Sequence, residues 1–254
     1  MFKKNDYVSR KSYNHDIIFK VINIKNDVAV LEGYDKRLIA DSFISDLVLV
    51  DDNQITEAIE MARIRIKGIK KIPRFKLHMT GKILHIDADK DYLDKCLKLY
   101  DELSLPAYGV YMNEKEIKTH ILDLIDQLDP DIVVLTGHDS YNKKGSKELS
   151  NYRNTIDYVE AVRKIRKHYS KDHIFIFAGA CQSNFEAIMA SGANFASSPK
   201  RVNIDAYDPA IIAIKAAITP FNEIINLEEI VDLLESKKRG ISGVESYGKM
   251  RLFL

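Results

Sequence analysis

The most reactive side chain in the sequence is a cysteine that follows a buried strand. Cys181 ends the apolar run HIFIFAGAC, and Cys96 is the only other cysteine. A thiolate is a strong nucleophile when a helix amino terminus or a neighbouring base stabilises it. The stretch SNFEAIMASG after Cys181 predicts a helix in which Ser183 and Glu186 form a capping box. Cys181 is therefore a candidate nucleophile, although taken alone such a cysteine is more often a packed core residue.

A candidate base ends another apolar run. His138 follows DIVVLTG, and a histidine can move protons near neutral pH. All seven histidines precede Cys181, so a cysteine–histidine dyad must run histidine first. This order excludes papain-like and glutamine-amidotransferase arrangements, and the sequence holds no GxSxG elbow.

The elements that must position these residues alternate regularly after residue 81. Strands are predicted at KILHIDAD, AYGVYM, DIVVLT, HIFIFAGA and ANFASSP, and helical spacing of apolar residues separates them. Two more helices are predicted around Ala210–Ala217 and Leu227–Lys237, before a loop-like tail. Such alternation predicts an α/β fold with a mostly parallel sheet and helices on both faces. Functional groups are then expected at the carboxyl ends of the strands.

The rest of the chain predicts a second module. Residues 1–52 contain short strands separated by Asn, Asp and Gly, which favours a small SH3-like β-barrel. Residues 53–80 become basic and are interpreted as a linker, so that residues 81–254 form the α/β domain.

The composition and net charge of the chain exclude some classes of function. Lys and Arg (38) balance Asp and Glu (37), for a net charge of +1, so bulk electrostatic binding to nucleic acid is not expected. The amino terminus lacks a signal-peptide pattern and no apolar run reaches membrane-span length, so an intracellular protein is expected. His85, Asp87 and Asp89 alternate along one strand, but two-residue spacing is weak evidence for a metal. We expect neither a metal nor a cofactor.

Several stretches resemble a known family. They are DIVVLTGHD, LSNYRN at 149–154, IFAGACQSNFEAI, GANFASSPKRVNIDAYDP and the opening YVSRKSYNHDIIFKVINI. Together they resemble the YabG family of sporulation-specific proteases and, more broadly, the caspase, clostripain and gingipain group of cysteine peptidases. The resemblance covers nearly the whole chain.

The resemblance implies a specific chemistry. His138 and Cys181 would form the dyad, and the backbone amides of Cys181 and Asp139 would hold the oxyanion. The substrates would be spore coat and cortex proteins, cleaved after arginine in the cytoplasm of the mother cell. The fold would be caspase- or clostripain-like.

The chain also departs from these groups. Clostripain-like enzymes carry an arginine-reading acid two residues before the cysteine, where this chain has Gly179. Candidates for that S1 acid are Asp87 and Asp89, with Asp208 and Asp139 as alternatives, since a carboxylate can pair with guanidinium. The basic linker would offer self-cleavage sites at Arg63, Arg65 and Arg74.

Two other functions compete. A flavodoxin-like nucleotide-binding module would need a glycine-rich phosphate loop, and neither GxGxxG nor GxxxxGK[ST] occurs. A non-enzymatic spore-coat assembly scaffold would use the N-terminal module for docking and would not need Cys181.

Overall fold

The computed structural model describes residues 2–67 and 78–253. The chain divides into two compact units, Met1–Gly68 and Ile69–Leu254.

The first unit is a five-stranded antiparallel sheet with its own small core. Its strands are β1 (Tyr7–Arg10), β2 (Phe19–Lys25), β3 (Val28–Gly33), β4 (Ile39–Phe43) and β5 (Leu47–Leu49), in the order β4-β3-β2-β1-β5. Alternating apolar residues of these strands, including Val8, Phe19 and Leu31, are buried together. Within residues 2–67, β4 and β5 are the edges of the sheet and do not pair with each other, so the described strands do not close a barrel.

A helix occupies much of the predicted linker. α1 runs over Asp52–Lys67, because residues 52–62 contain good helix formers and no glycine or proline. The backbone of Arg63 and Arg65 is therefore helical. Their side chains, and all of Arg74, lie outside the described residues.

The second unit contains the predicted α/β domain. Its strands are β6 (His78–Met79), β7 (Ile83–Asp87), β8 (Ala107–Tyr111), β9 (Ile132–Thr136), β10 (Phe175–Ala178), β11 (Phe195–Ser197), β12 (Ile241–Gly243) and β13 (Arg251–Leu252). Six of them form a sheet in the order β12-β11-β10-β9-β7-β8, in which only β12 is antiparallel to its neighbour. β6 and β13 form a separate pair.

Helices pack on this sheet, as predicted. They are α2 (Lys90–Glu102), α3 (Glu114–Leu128), α4 (Thr155–Arg166), α5 (Phe185–Ser191), α6 (Asp208–Ile218), α7 (Leu227–Leu233) and α8 (Lys237–Gly240). α3 and α4 pack together against the side chains of Leu84, Val133 and Ile176, which alternate with residues that point to the opposite face. α2 and α6 pack against each other as a second pair. The mostly parallel sheet with flanking helices is therefore confirmed.

The prediction of a loop-like carboxyl-terminal tail was wrong. Residues 241–243 form β12, and their short, glycine-containing sequence has no alternation that could reveal a strand. Gly243 lies opposite Phe195 of β11. A Cβ atom at Gly243 would lie 2.5 Å from the Phe195 ring and 2.6 Å from the Asn194 carbonyl oxygen, so this pairing requires glycine.

Candidate active site

His138 and Cys181 lie at equivalent positions beyond two neighbouring parallel strands. Leu135 of β9 is opposite Ala178 of β10, and the Gly179 N–H donates to the Leu135 carbonyl over 3.0 Å. Three residues after this pair, the two segments reach His138 and Cys181. Because neighbouring strands are about 4.8 Å apart, this register brings the imidazole and the thiol to the same carboxyl edge.

Two buried carboxylates flank the His138 imidazole. Its Nε2 lies 3.4 Å from Asp89 Oδ2, and its Nδ1 lies 3.9 Å from Glu114 Oε1. The His138 backbone N–H also donates to Glu114 Oε1 over 2.7 Å. The His138 side chain is 27% exposed, whereas both acids are almost buried. The imidazole is thus oriented from inside the protein and open to solvent on one side.

Glycine is required beside this histidine. Gly137 adopts a φ of +154°. A Cβ atom there would lie 2.7 Å from Glu114 Oε1 and 2.8 Å from Ala88 Cβ. Gly137 therefore lets the chain pass close enough to Glu114 for the His138 amide to reach the carboxylate.

Cys181 lies in a tight turn under the loop that follows β11. The residue is 4% exposed, and the Ile204 N–H donates to its Sγ over 3.3 Å. Gly179 has a φ of +109° and Gln182 a φ of +59°, so the backbone turns on both sides of the cysteine. A donor aimed at sulfur stabilises a thiolate.

The small residues before Cys181 serve packing. A Cβ atom on Gly179 would lie 2.6 Å from Ser197 Oγ, and Ala180 is fully buried. Ser197 Oγ donates to the Ala180 carbonyl over 2.8 Å. Both residues therefore pack against β11 and the core.

Asp139 connects the segment after β9 to the segment after β10. One of its oxygens accepts from the N–H groups of Ser140 and Asn154, each over 2.8 Å. The other accepts from the hydroxyls of Thr155 and Ser183, the latter over 2.9 Å. Burial raises the pKa of the Asp139 carboxyl, and these four hydrogen bonds oppose the rise.

The predicted capping box was wrong by one residue. Asn184 is the N-cap of α5, and its side-chain oxygen accepts from the Ala187 N–H over 3.1 Å. Ser183 instead accepts from the Ala180 N–H over 3.0 Å while it donates to Asp139. Glu186 pairs with Arg201 and not with the backbone of Ser183. Serine and asparagine are both good caps, and Asp139 decides which of them is used.

Two loops contact the turn that contains Cys181. The Gln182 N–H donates to the Val202 carbonyl over 3.2 Å and to Ser198 Oγ over 3.0 Å. The Tyr141 N–H donates to Gln182 Oε1 over 3.3 Å. Arg201 holds the first loop through hydrogen bonds to Glu186, to the Pro199 carbonyl and to the Tyr152 hydroxyl. The turn at Cys181 is therefore fixed from both neighbouring loops.

The sequence matches one family over almost its full length. The model of the YabG peptidase U57 family matches residues 3–254. The chain belongs to this YabG family. It is also 40% identical to the sporulation-specific protease YabG of Bacillus subtilis (strain 168), over 99% of this chain and 97% of that protein. The resemblance inferred from the motifs is therefore confirmed, and this YabG-family chain is a member of a family of peptidases.

The three main candidates for the S1 acid in this YabG-family chain are all buried. Asp87 accepts from the Asp89 N–H over 3.0 Å and lies 3.6 Å from His85 Nε2. Asp89 is the N-cap of α2 and also faces His138. Burial and the charge of Asp205 raise the pKa of Asp208 to about 7. Asp139, the further alternative, is committed to the interactions described above.

The possible metal site on β7 does not assemble. His85 Nδ1 lies 2.8 Å from the Tyr100 hydroxyl. One of the two ring nitrogens is therefore used in a buried hydrogen bond. Across residues 2–67 and 78–253, no group of three or more His, Cys, Asp or Glu side chains could hold a metal ion. In that same part of the chain, no helix has the length and apolar character to span a membrane.

Sequence reasoning missed Glu114 in this YabG-family site. Glu114 is the first residue of α3, after the N-cap Asn113, and an acid is common there because it complements the helix dipole. Its contact with His138 joins residues 24 positions apart. Only the order of β8, β7 and β9 in the sheet, which a single sequence does not reveal, could have pointed to it.

Proposed function

We propose that the chain is a cysteine endopeptidase in which His138 and Cys181 form the catalytic dyad. The observation that carries the proposal is the register of β9 and β10, which places the two residues three positions beyond the paired Leu135 and Ala178. The open side of the His138 ring and the donor on Cys181 Sγ support it. Membership of a peptidase family supplies the peptide bond as substrate.

The reaction begins when the Cys181 thiolate attacks the scissile carbonyl carbon. A bond forms between Sγ and carbon, and the carbonyl electron pair moves onto oxygen. The backbone N–H groups of Cys181 and Asp139 are the proposed donors to this oxyanion. When the intermediate collapses, the carbon–nitrogen bond breaks and the His138 imidazolium gives its proton to the leaving amine. A thioester acyl-enzyme remains.

Hydrolysis then reverses the roles of the dyad. His138 takes a proton from water, and the hydroxide attacks the thioester carbon. The carbon–sulfur bond breaks, the carboxylic acid product leaves, and Cys181 returns to its starting state. Asp89 and Glu114 act as positioning residues in this scheme, because their carboxylates face the two ring nitrogens of His138.

Cleavage after arginine is part of the proposal and requires an acid in the S1 site. Asp87, Asp89 and Asp208 remain the candidates. Asp208 has one argument in its favour: it follows the loop whose Ile204 amide contacts Cys181. Replacing each aspartate with asparagine should raise the KM for an arginyl peptide only at the S1 acid. A matched leucyl peptide should not show the same change.

The biological setting comes from the relative named as a sporulation-specific protease. We infer that this chain processes coat and cortex proteins of the forming spore, in the cytoplasm of the mother cell. The same proposal includes the domain division, with boundaries at residues 1–52, 53–80 and 81–254. It also includes an SH3-like character for the first sheet and a caspase- or clostripain-like class for the second unit. The mostly parallel six-stranded sheet with flanking helices supports that class.

Self-cleavage at Arg63, Arg65 or Arg74 is a further part of the proposal. Arg63 and Arg65 lie in α1, so cleavage after either requires that this helix unwind, because proteases bind extended peptides. Purified wild-type protein should release a fragment cut at one of these residues, and Cys181→Ala protein should stay intact. Identical fragments from both proteins would rule this out.

One experiment separates the enzyme from a coat-assembly scaffold. Wild-type, Cys181→Ala, His138→Ala and Cys96→Ala proteins are incubated with casein, and an arginine-based electrophile is used to label the wild type. We expect cleavage by wild type and by the Cys96→Ala control only, with the label on Cys181. Undiminished cleavage by Cys181→Ala would end the dyad hypothesis, and no cleavage by any protein would favour the scaffold.

A further inference from the structure

Strand β8 is an exposed edge of the six-stranded sheet. Among the described strands it pairs only with β7. Its residues, Ala107–Tyr111, include no charged residue and no proline, and Tyr108 and Tyr111 are 48% and 63% exposed. Edge strands of soluble proteins are usually protected by charge, proline or a bulge, because their peptide groups can pair with another chain.

The peptide groups of alternate residues of β8 point away from the sheet. The Ile83 N–H donates to the Pro106 carbonyl over 2.9 Å, and the Met112 N–H donates to the Asp87 carbonyl over 3.1 Å. In a parallel pair the direction of the peptide groups alternates along the strand. Tyr108 and Val110 therefore bond towards β7, whereas Ala107, Gly109 and Tyr111 present their N–H and C=O groups outwards.

We propose that β8 pairs in antiparallel fashion with β8 of a second copy of this chain, about a twofold axis at Gly109. In this register Ala107 lies opposite Tyr111 and Gly109 lies opposite itself, as hydrogen-bonded pairs. On the other face, Tyr108 lies opposite Val110. Every bulky residue meets a smaller one, so the sequence AYGVY is complementary to its own reverse and the interface is isologous.

Glycine at the centre favours this contact. A Cβ atom on Gly109 would lie 2.4 Å from Leu97 Cδ1, so residue 109 faces α2 and carries no side chain there. Because Ala107 and Tyr111 alternate onto the same face, each Tyr111 ring can lie diagonally across from the glycine of the other copy. The result is a continuous twelve-stranded sheet in which the β8 edge of each copy is covered, and a β12 strand lies at either end.

The mass of the chain in solution tests the pairing. Multi-angle light scattering should give 58.2 kDa, twice the 29.1 kDa of one chain. The Tyr111→Lys variant places a lysine in the contact and should raise the dissociation constant by at least about tenfold. Tyr247→Lys, a control on another exposed tyrosine (48%) that lies outside β8, should remain a dimer. Each measurement is repeated with Cys181→Ala, so that self-digestion cannot reduce the mass.

A cross-link tests the register. Opposed residues of a hydrogen-bonded pair have Cα atoms about 5.5 Å apart, within the range of a disulfide. A mixture of Ala107→Cys and Tyr111→Cys proteins should form a disulfide dimer on mild oxidation, whereas either variant alone should stay uncross-linked. A monomer at every soluble concentration, an unaffected dimer in Tyr111→Lys, or no cross-link in the mixture would overturn the proposal. None of these results depends on peptidase activity.

Discussion

Ser183 Oγ donates a hydrogen bond of 2.9 Å to Asp139 Oδ2. Asp139 follows His138 directly and Ser183 lies two residues after Cys181, so this single contact ties the two candidate catalytic segments together. Both partners are buried. The relative position of imidazole and thiol therefore depends on a pair of buried side chains.

Ser183→Ala should loosen this connection. The change leaves the Ala180 N–H without its acceptor and removes one donor from Asp139, so the free energy of unfolding should fall by about 1–3 kcal/mol. The value of kcat should fall by about tenfold, because small displacements of catalytic groups are costly, while KM changes little. Urea unfolding and peptide hydrolysis measure the two effects. Ser191→Ala is the control, since that buried serine bonds within α5 to the Ile188 carbonyl.

Glu114→Gln should separate positioning from charge. Glutamine can still accept the hydrogen bond from the His138 N–H, so the fold should persist and unfolding should shift by less than about 1 kcal/mol. The neutral amide no longer places a negative charge 3.9 Å from His138 Nδ1, so kcat for peptide hydrolysis should fall by about tenfold while KM changes little. Glu116→Gln, an exposed change on the same helix, should leave both constants in place. Equal kcat values for the two variants would show that Glu114 has a structural role only.

Asp208→Asn should change how stability depends on pH. The pKa of Asp208 is raised from 3.8 to about 7, so between these values the folded state holds a proton that the unfolded state has released. The free energy of unfolding should therefore decrease as pH rises through this window, by up to about 1.4 kcal/mol per pH unit. Asparagine removes this contribution, and the slope measured by urea unfolding between pH 4.5 and 7 (a window of about 2.5 units) should flatten. The exposed change Asp94→Asn should keep the wild-type slope.

Arg166→Leu should affect stability without affecting the site. The guanidinium donates to the Gly192 and Ile174 carbonyls over 2.8 and 3.0 Å, and to Asn194 Oδ1 over 2.7 Å. Burial lowers its pKa to about 10. Leucine leaves these acceptors unsatisfied, so the free energy of unfolding should fall by about 2–4 kcal/mol. The kcat of the folded fraction should be unchanged, and Arg163→Leu on the exposed face of α4 should alter neither quantity.

The sequence predicted the second unit well because its elements are regular. Strands such as DIVVLT and HIFIFAGA are continuous apolar runs, and the intervening helices show clear 3.6-residue spacing. Chain order and strand ends then placed His138 and Cys181 on one edge. β12 was not predicted because three residues that end in glycine are too few to show the alternation of apolar and polar residues that indicates a strand.

The interior of the candidate site was less predictable. The backbone N–H of Asp139 remains a proposed oxyanion donor, whereas its carboxylate, which the sequence offers as a possible S1 acid, accepts hydrogen bonds from Asn154 and Ser183. The sequence predicts Ser183 as a helix cap. In the structure its hydroxyl donates to the nearby Asp139 carboxylate instead. The contact between Ser183 and Asp139 joins residues 44 positions apart, so it depends on tertiary packing and not on local propensity.

The short strand β12 has a consequence for how the protein is made. It pairs with β11, and the Gly240 carbonyl just before it accepts from the Ser198 N–H. Ser198 Oγ in turn accepts from the N–H of Gln182, the residue after Cys181. A ribosome-bound chain cannot complete this arrangement until Gly243 has left the exit tunnel. We therefore expect nascent chains that have not yet exposed Gly243 to be inert towards the proteins around the ribosome.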